Sequence, residues 1–221
     1  SLLDQSLSLL SRPFGTGESI VLKPSNLLNP LAPAMLALRP EASAILLHAP
    51  LKVYLNSIAR KNMWGRYWVR DLLVKYLKEA GMMDFGLSTE HLLMLTDLQI
   101  AALGWLAQQR VFADMAQRFP TRTLPLDSDR LMLEPRAAFA AIADLMHLNL
   151  DRSAINHIVD GPAFNRHSKF GGTFDASARA AEREQGLVHY REEIEMVFDW
   201  ASVTAQGAGI PLQLAAMPQL A

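Results

Sequence analysis

The chain has 221 residues, of which 50 % are apolar and 19 % charged, with a formal net charge of −1 and no cysteine. The charge balance leaves no overall basic footprint for nucleic acid, and the missing cysteines exclude disulfides, thiolate metal sites and cysteine nucleophiles. No apolar run reaches the ~18 residues that a transmembrane helix needs.

The length suits one domain with a sizeable core. No basic segment followed by an apolar one opens the chain as a leader would. These features fit a cytoplasmic protein with neither membrane nor nucleic acid as partner. The opening at Ser1, straight into an apolar-periodic run, is the expected sign of a start downstream of the natural one.

In chain order, Leu2, Leu3, Leu7 and Leu10 have helical spacing and predict a helix over residues 1–11, ended by a loop at 12–17. Gly15 and Gly17 have no third glycine and no following Lys-Ser/Thr, so they read as a turn and not as a phosphate loop. A short apolar run at residues 20–23 predicts a strand ending in Lys23, followed by Pro24, Ser25 and Asn26. A helix is expected from Asn29 as N-cap, with Pro30 at its first position, to just before Pro40.

Residues 42–48 form a continuous apolar run, as a parallel strand covered on both faces should. It ends in His48-Ala49-Pro50, and a helix over 51–60 follows. Trp64, Trp68, Leu72, Tyr76 and Leu77 mark the next helix, which Gly81 ends. A long helix is expected from Ser88 or Thr89 to about residue 119, with Gly104 as its point of interruption. Together these helices read as a lobe inserted at 61–119.

A third strand is expected at 121–126, with a polar turn at Asp127-Ser128-Asp129, a helix opened by Glu134-Pro135 and a short helix capped by Asp151. Residues 163–173 lack periodicity and gather Arg166, His167 and Lys169 ahead of Gly171 and Gly172. Asp175 is placed as a cap, and residues 187–204 read as an amphipathic helix.

The strand–turn–helix order puts polar turns at the carboxyl ends of parallel strands, the edge where open α/β sheets bind ligands. Lys23 there suits an anion, although a solvated lysine beside a capping serine accounts for the same spacing. His48 reads either as a packed strand-end histidine or as a base. The Arg166–Lys169 segment combines a planar fork and a point charge, as an anion loop does, and equally fits a solvated charged loop. The six histidines are scattered, so no metal site is expected. No Gly-x-Ser-x-Gly nucleophile turn is present.

Three stretches together resemble the sulfotransferase family, the P-loop-type α/β enzymes that transfer a sulfuryl group from the nucleotide donor PAPS. Val21-Leu22-Lys23-Pro24-Ser25-Asn26 resembles the strand ending in lysine near the catalytic centre. The stretch from Ala44 through His48-Ala49-Pro50 to Asn56-Ser57 resembles the strand and helix that bind the donor's 3′-phosphate. Residues 126–148 and the Arg166–Lys169 segment resemble the acidic turn, proline-opened helix and late basic loop. The resemblance spans roughly residues 19–175. It implies an α/β fold with a parallel sheet, flanking helices and a helical lobe, lacking the N-terminal phosphate-binding loop.

The resemblance further implies Lys23, Ser25 and Asn26 at the transfer site, and His48, Asn56, Ser57, Arg166 and Lys169 around PAPS or its product PAP. A small molecule or glycan would be the acceptor. This chain departs from the pattern in three places. No phosphate-binding loop is present, Ser25 stands where many members have a histidine, and His48 stands where they have an arginine. A serine is no base at neutral pH without an activating neighbour. Two further readings follow: a non-catalytic binding or assembly module, expected to form a homodimer through the helices at 64–76 or 92–112, and another P-loop-type nucleotide-dependent transferase or kinase.

Overall fold

The structure is a computed structural model and describes residues 1–79, 81–161, 184–186 and 188–214. Its elements are α1 (Leu2–Leu10), a 3₁₀ helix (Asn26–Leu31), α2 (Ala32–Leu38), β1 (Ala44–His48), α3 (Leu51–Ala59), α4 (Asn62–Tyr76) and α5 (Thr89–Met94). There follow α6 (Asp97–Arg118), β2 (Thr123–Asp127), α7 (Ser128–Leu133), α8 (Pro135–Leu145), α9 (Arg152–Asp160) and α10 (Arg191–Gly207). The described chain is mostly helical, with one two-stranded parallel sheet. Among the described residues no helix is long and apolar enough to cross a membrane.

The centre is α6. Its residues from Leu98 to Ala107 are apolar on nearly every face, and a helix of that kind is stable only when surrounded. Leu98, Leu103 and Leu106 are fully buried. One core cluster joins α6 to α3, α4 and α10 through Leu55, Ile58, Val69, Leu106, Ile194 and Ala201. A second joins it to α4 and α5 through Leu72, Tyr76, Leu92 and Leu103. A third sets Met115 of α6 against Leu36 of α2 and Leu46 of β1. The helices expected as a lateral lobe therefore form the core, and the sheet lies against one end of it.

Four expectations on secondary structure are corrected. Residues 20–23 are not a strand: Val21 and Leu22 are exposed, and the segment is irregular. Its continuation is drawn onto the helices instead, because Ser25 caps the 3₁₀ helix and Asn26 bonds to Tyr76 of α4. Asn29 is accordingly inside the 3₁₀ helix and not an N-cap. The long helix breaks at Leu95–Thr96, not at Gly104, because Thr96 and Gln99 form a reciprocal capping box. The turn at Asp127 is the end of β2, where the Asp127 carboxylate caps α7.

The sheet has a definite register, with Ala44 opposite Thr123 and His48 opposite Asp127. The Ala44 N–H donates to Arg122 O at 2.8 Å, so Ala44, Leu46 and His48 turn their backbone groups towards β2. Thr123, Pro125 and Asp127 then turn theirs to the outer edge of β2. Pro125 breaks no ladder bond there and blunts that edge. On β1 the outward groups belong to Ile45 and Leu47, and no described strand pairs with them. Arg122 fixes the entry to β1 by pointing Nη1 at the carbonyls of Leu36, Arg39 and Pro40.

Leu103→Ala is expected to destabilise the chain by about 3 kcal/mol, since it leaves a void in a fully buried site. Val203→Ala, at an exposed position, should change stability by less than about 0.5 kcal/mol. Urea denaturation of the two variants checks the contrast.

Candidate functional site

Of the two polar turns expected at a sheet edge, only the one after β1 follows a strand; the Lys23–Asn26 turn follows an irregular segment, and both turns are anchored on α6. Trp105 Nε1 donates to Ala49 O at 2.8 Å, fixing the turn after β1. Gln108 Nε2 donates to Asn26 O at 3.2 Å, fixing the turn after Lys23. Positions three apart on a helix are surface neighbours about 5–6 Å apart, so the two anchors occupy neighbouring parts of α6. Neither Trp105 nor Gln108 stood out in the sequence. A tryptophan, and a pair of glutamines directly after the apolar stretch of α6, were the available signal.

At the first turn, the side chains of Ser25 and Asn26 are engaged within the fold. Ser25 Oγ accepts from the Leu27 N–H and donates to Asn26 Oδ1 at 3.3 Å. Asn26 Nδ2 donates to the Tyr76 hydroxyl at 3.1 Å, and Gln108 Nε2 donates to the same oxygen at 2.8 Å. Asn29 Nδ2 completes the network on Gln108 Oε1. Lys23 is exposed, and its ammonium makes no hydrogen bond or ion pair among the described residues.

At the second turn, His48 and Asp127 are register partners on neighbouring strands, which run about 4.8 Å apart. His48 Nδ1 lies 3.0 Å from Leu46 O. A carbonyl only accepts, so Nδ1 carries the proton and Nε2 of the neutral ring is the acceptor. Asp127 Oδ1 accepts from the Asp129 N–H at 2.7 Å.

The two remaining residues expected at the 3′-phosphate point apart. Asn56 is buried, and a Cβ on Gly186 would come within 2.5 Å of its Oδ1, so the segment before α10 covers it closely. Ser57 is exposed on the other side of α3. Arg166 and Lys169 lie outside the described residues. No cluster of three or more metal-ligating side chains occurs among the described residues.

One buried polar group had no place in the sequence reading. Gln109 is only 1 % exposed, and its Nε2 has no hydrogen-bond partner among the described residues. It lies one helical turn beyond Trp105 on the same face of α6. A buried donor left unmatched costs about 1–3 kcal/mol.

The Tyr76 hydroxyl shows the same low-dielectric setting. Burial pushes its pKa up to about 12, against a smaller opposing effect of the bond from Gln108. Burial likewise raises Tyr54.

Comparisons of the chain with protein-family profiles, with curated proteins and with solved structures found no match.

Two outcomes are expected from these placements. Gln109→Leu should raise stability by about 1 kcal/mol, since it removes an unmatched buried amide at similar volume, and thermal unfolding measures this. Tyr76 keeps its proton in the folded state above pH 10, where the unfolded chain loses it. Its stabilising share is therefore complete below about pH 10 and falls as pH rises towards about 12. Tyr76→Phe should flatten that alkaline loss by about 2 kcal/mol between pH 9 and 12, read from denaturation curves.

Proposed function

We propose that this protein is a sulfotransferase-like α/β protein. It would transfer a sulfuryl group from PAPS to a small-molecule or glycan acceptor, beside the part of α6 that anchors the Lys23–Asn26 and His48–Pro50 turns. The supporting observation is the paired anchoring of these turns by Gln108 and Trp105, three residues apart on one helix. The sequence resemblance assigns both turns to a single site, and their neighbouring anchors are what that assignment requires.

The roles follow from what each side chain has to offer. Sulfuryl transfer resembles phosphoryl transfer, with a loose in-line transition state whose charge spreads over peripheral oxygens. Catalysis is then mainly positioning and electrostatic stabilisation. Lys23 is exposed and supplies the ammonium for those oxygens. Ser25 and Asn26, tied to the 3₁₀ helix and to Tyr76, set the turn's shape and act as positioning residues. His48, with Nε2 as acceptor, stands at the edge of the sheet. The donor's phosphates need a cradle of backbone N–H groups, which no motif in residues 1–221 provides. The outer edge of β1, unpaired among the described residues, is where a strand carrying such a cradle would add.

A second reading, a non-catalytic assembly module, is favoured by one observation: the outward face of α4 is apolar.

PAP is expected to raise the melting temperature of the natural full-length protein by several degrees at saturating ligand. The double variant Arg166→Ala/Lys169→Ala should lose most of that rise, and adenosine 5′-phosphosulfate, which lacks the 3′-phosphate, should give less. No shift at millimolar PAP would sink the sulfotransferase-like reading.

A further inference from the structure

We infer that residues 12–31 form a strap across α4 and α6 that opens as a unit, with Gln108 of α6 as its latch.

Both ends of the strap are tied down without it. Before it, α1 buries Leu7 and is held to the end of α2 by Arg39. Arg39 Nη1 donates to Asp4 Oδ1 at 2.6 Å, and Nη2 donates to Ser8 Oγ at 2.8 Å. After it, α2 buries Leu36 against Leu46 and Met115. Between these anchors no residue from 12 to 31 is buried. Leu27 packs, partly buried, on the cluster of Leu72, Tyr76 and Leu103, while Phe14, Val21 and Leu22 are exposed. A segment with so little apolar burial belongs to the least stable part of a fold.

What holds the strap down is polar and concentrated at one place. Among the described residues, three hydrogen bonds join it to α4 and α6: Asn26 Nδ2 to the Tyr76 hydroxyl, Gln108 Nε2 to Asn26 O, and Asn29 Nδ2 to Gln108 Oε1. Gln108 takes part in two of them, and it also donates to the Tyr76 hydroxyl that receives the third. Release at Gln108 therefore frees the whole segment. The 3₁₀ helix inside the strap has six residues and no buried one, too short to persist once detached. Gly17, at φ +81° with open space around it, gives the chain a swivel near the α1 end. Lys23 lies within the strap. Under the sulfotransferase-like reading, opening carries its ammonium away from α6; that consequence rests on the reading, whereas the strap does not.

Native-state hydrogen exchange of the whole chain without ligand, read by NMR at single amides, tests this. The Leu28 N–H donates to Ser25 O at 2.9 Å and the Leu27 N–H to Ser25 Oγ, so both report on the strap. Leu103, fully buried in α6, reports on global unfolding. Leu27 and Leu28 should show one common opening constant, much larger than that of Leu103. Low urea should hardly change it, because a local opening exposes little surface, while exchange at Leu103 rises steeply. A typical hydrogen bond is worth about a factor of five in an equilibrium constant. Gln108→Leu removes two of the three tethers and should raise exchange at Leu28, relative to Leu103, about tenfold or more. Val203→Ala, at an exposed position far along α10, should leave that ratio unchanged. The inference is overturned if Leu28 shares the urea dependence of Leu103, if Leu27 and Leu28 open with different constants, or if Gln108→Leu leaves the ratio as it was.

Discussion

The burial of α6 from Ile100 to Ala107 constrains much of the rest of this fold. A helix with Leu98, Leu103, Leu106 and the alanines between them has no face fit for water, so α3, α4, α5, α10 and the sheet must cover it. Small residues make the cover close. Gly104 lets the Tyr76 ring come to 3.4 Å from where a Cβ would stand, so α4 packs tightly enough to bury its tyrosine. That burial requires partners for the phenol, and Gln108 and Asn26 provide them. The irregular turn at Lys23 is thus fixed by a polar demand arising inside the helical core.

Much of this architecture was legible in the sequence where a local signal sufficed. The continuous apolar run at 44–48 gave a strand, Glu134-Pro135 and Asp151 marked helix starts, and Gly81 takes the positive φ expected after α4. The Thr96–Gln99 capping box was legible too, but it competes with an unbroken apolar period and is outweighed on a periodicity count. Residues 20–23 could not be read locally at all. Three apolar residues make a strand only if an edge accepts them, and here the capping serine and Asn26 carry the chain towards α4. The centrality of α6 was equally hidden, since the apolar stretch at its start states that it is buried without saying by what.

The candidate site divides along the same line. Lys23, Ser25, Asn26 and His48 were singled out because polar turns after apolar runs suggest sheet edges, and of the four only His48 stands at one. What those side chains do depends on distant partners. Asn26 meets Tyr76 fifty residues away and Gln108 eighty-two away, and no sequence spacing encodes such contacts. Asn56 and Ser57 illustrate the opposite limit: adjacent in sequence, they lie on different sides of α3, because successive helical residues are turned by about 100°. Two neighbours on a helix rarely serve one ligand.

Under the proposed reading, the anchoring on α6 also bears on how a transfer site could work with serine at position 25. A loose transition state asks more of fixed positive charge than of proton transfer while the bond to the leaving group breaks. The turn supplies that charge on Lys23 and holds its own backbone through Ser25, Asn26 and Gln108. What serine withholds is a base for the acceptor. The acceptors such a site could serve are therefore those whose attacking oxygen is already acidic, or those deprotonated by another group at the edge. Among the described residues, His48 has the free ring nitrogen for that task, and Trp105 fixes the turn that follows it.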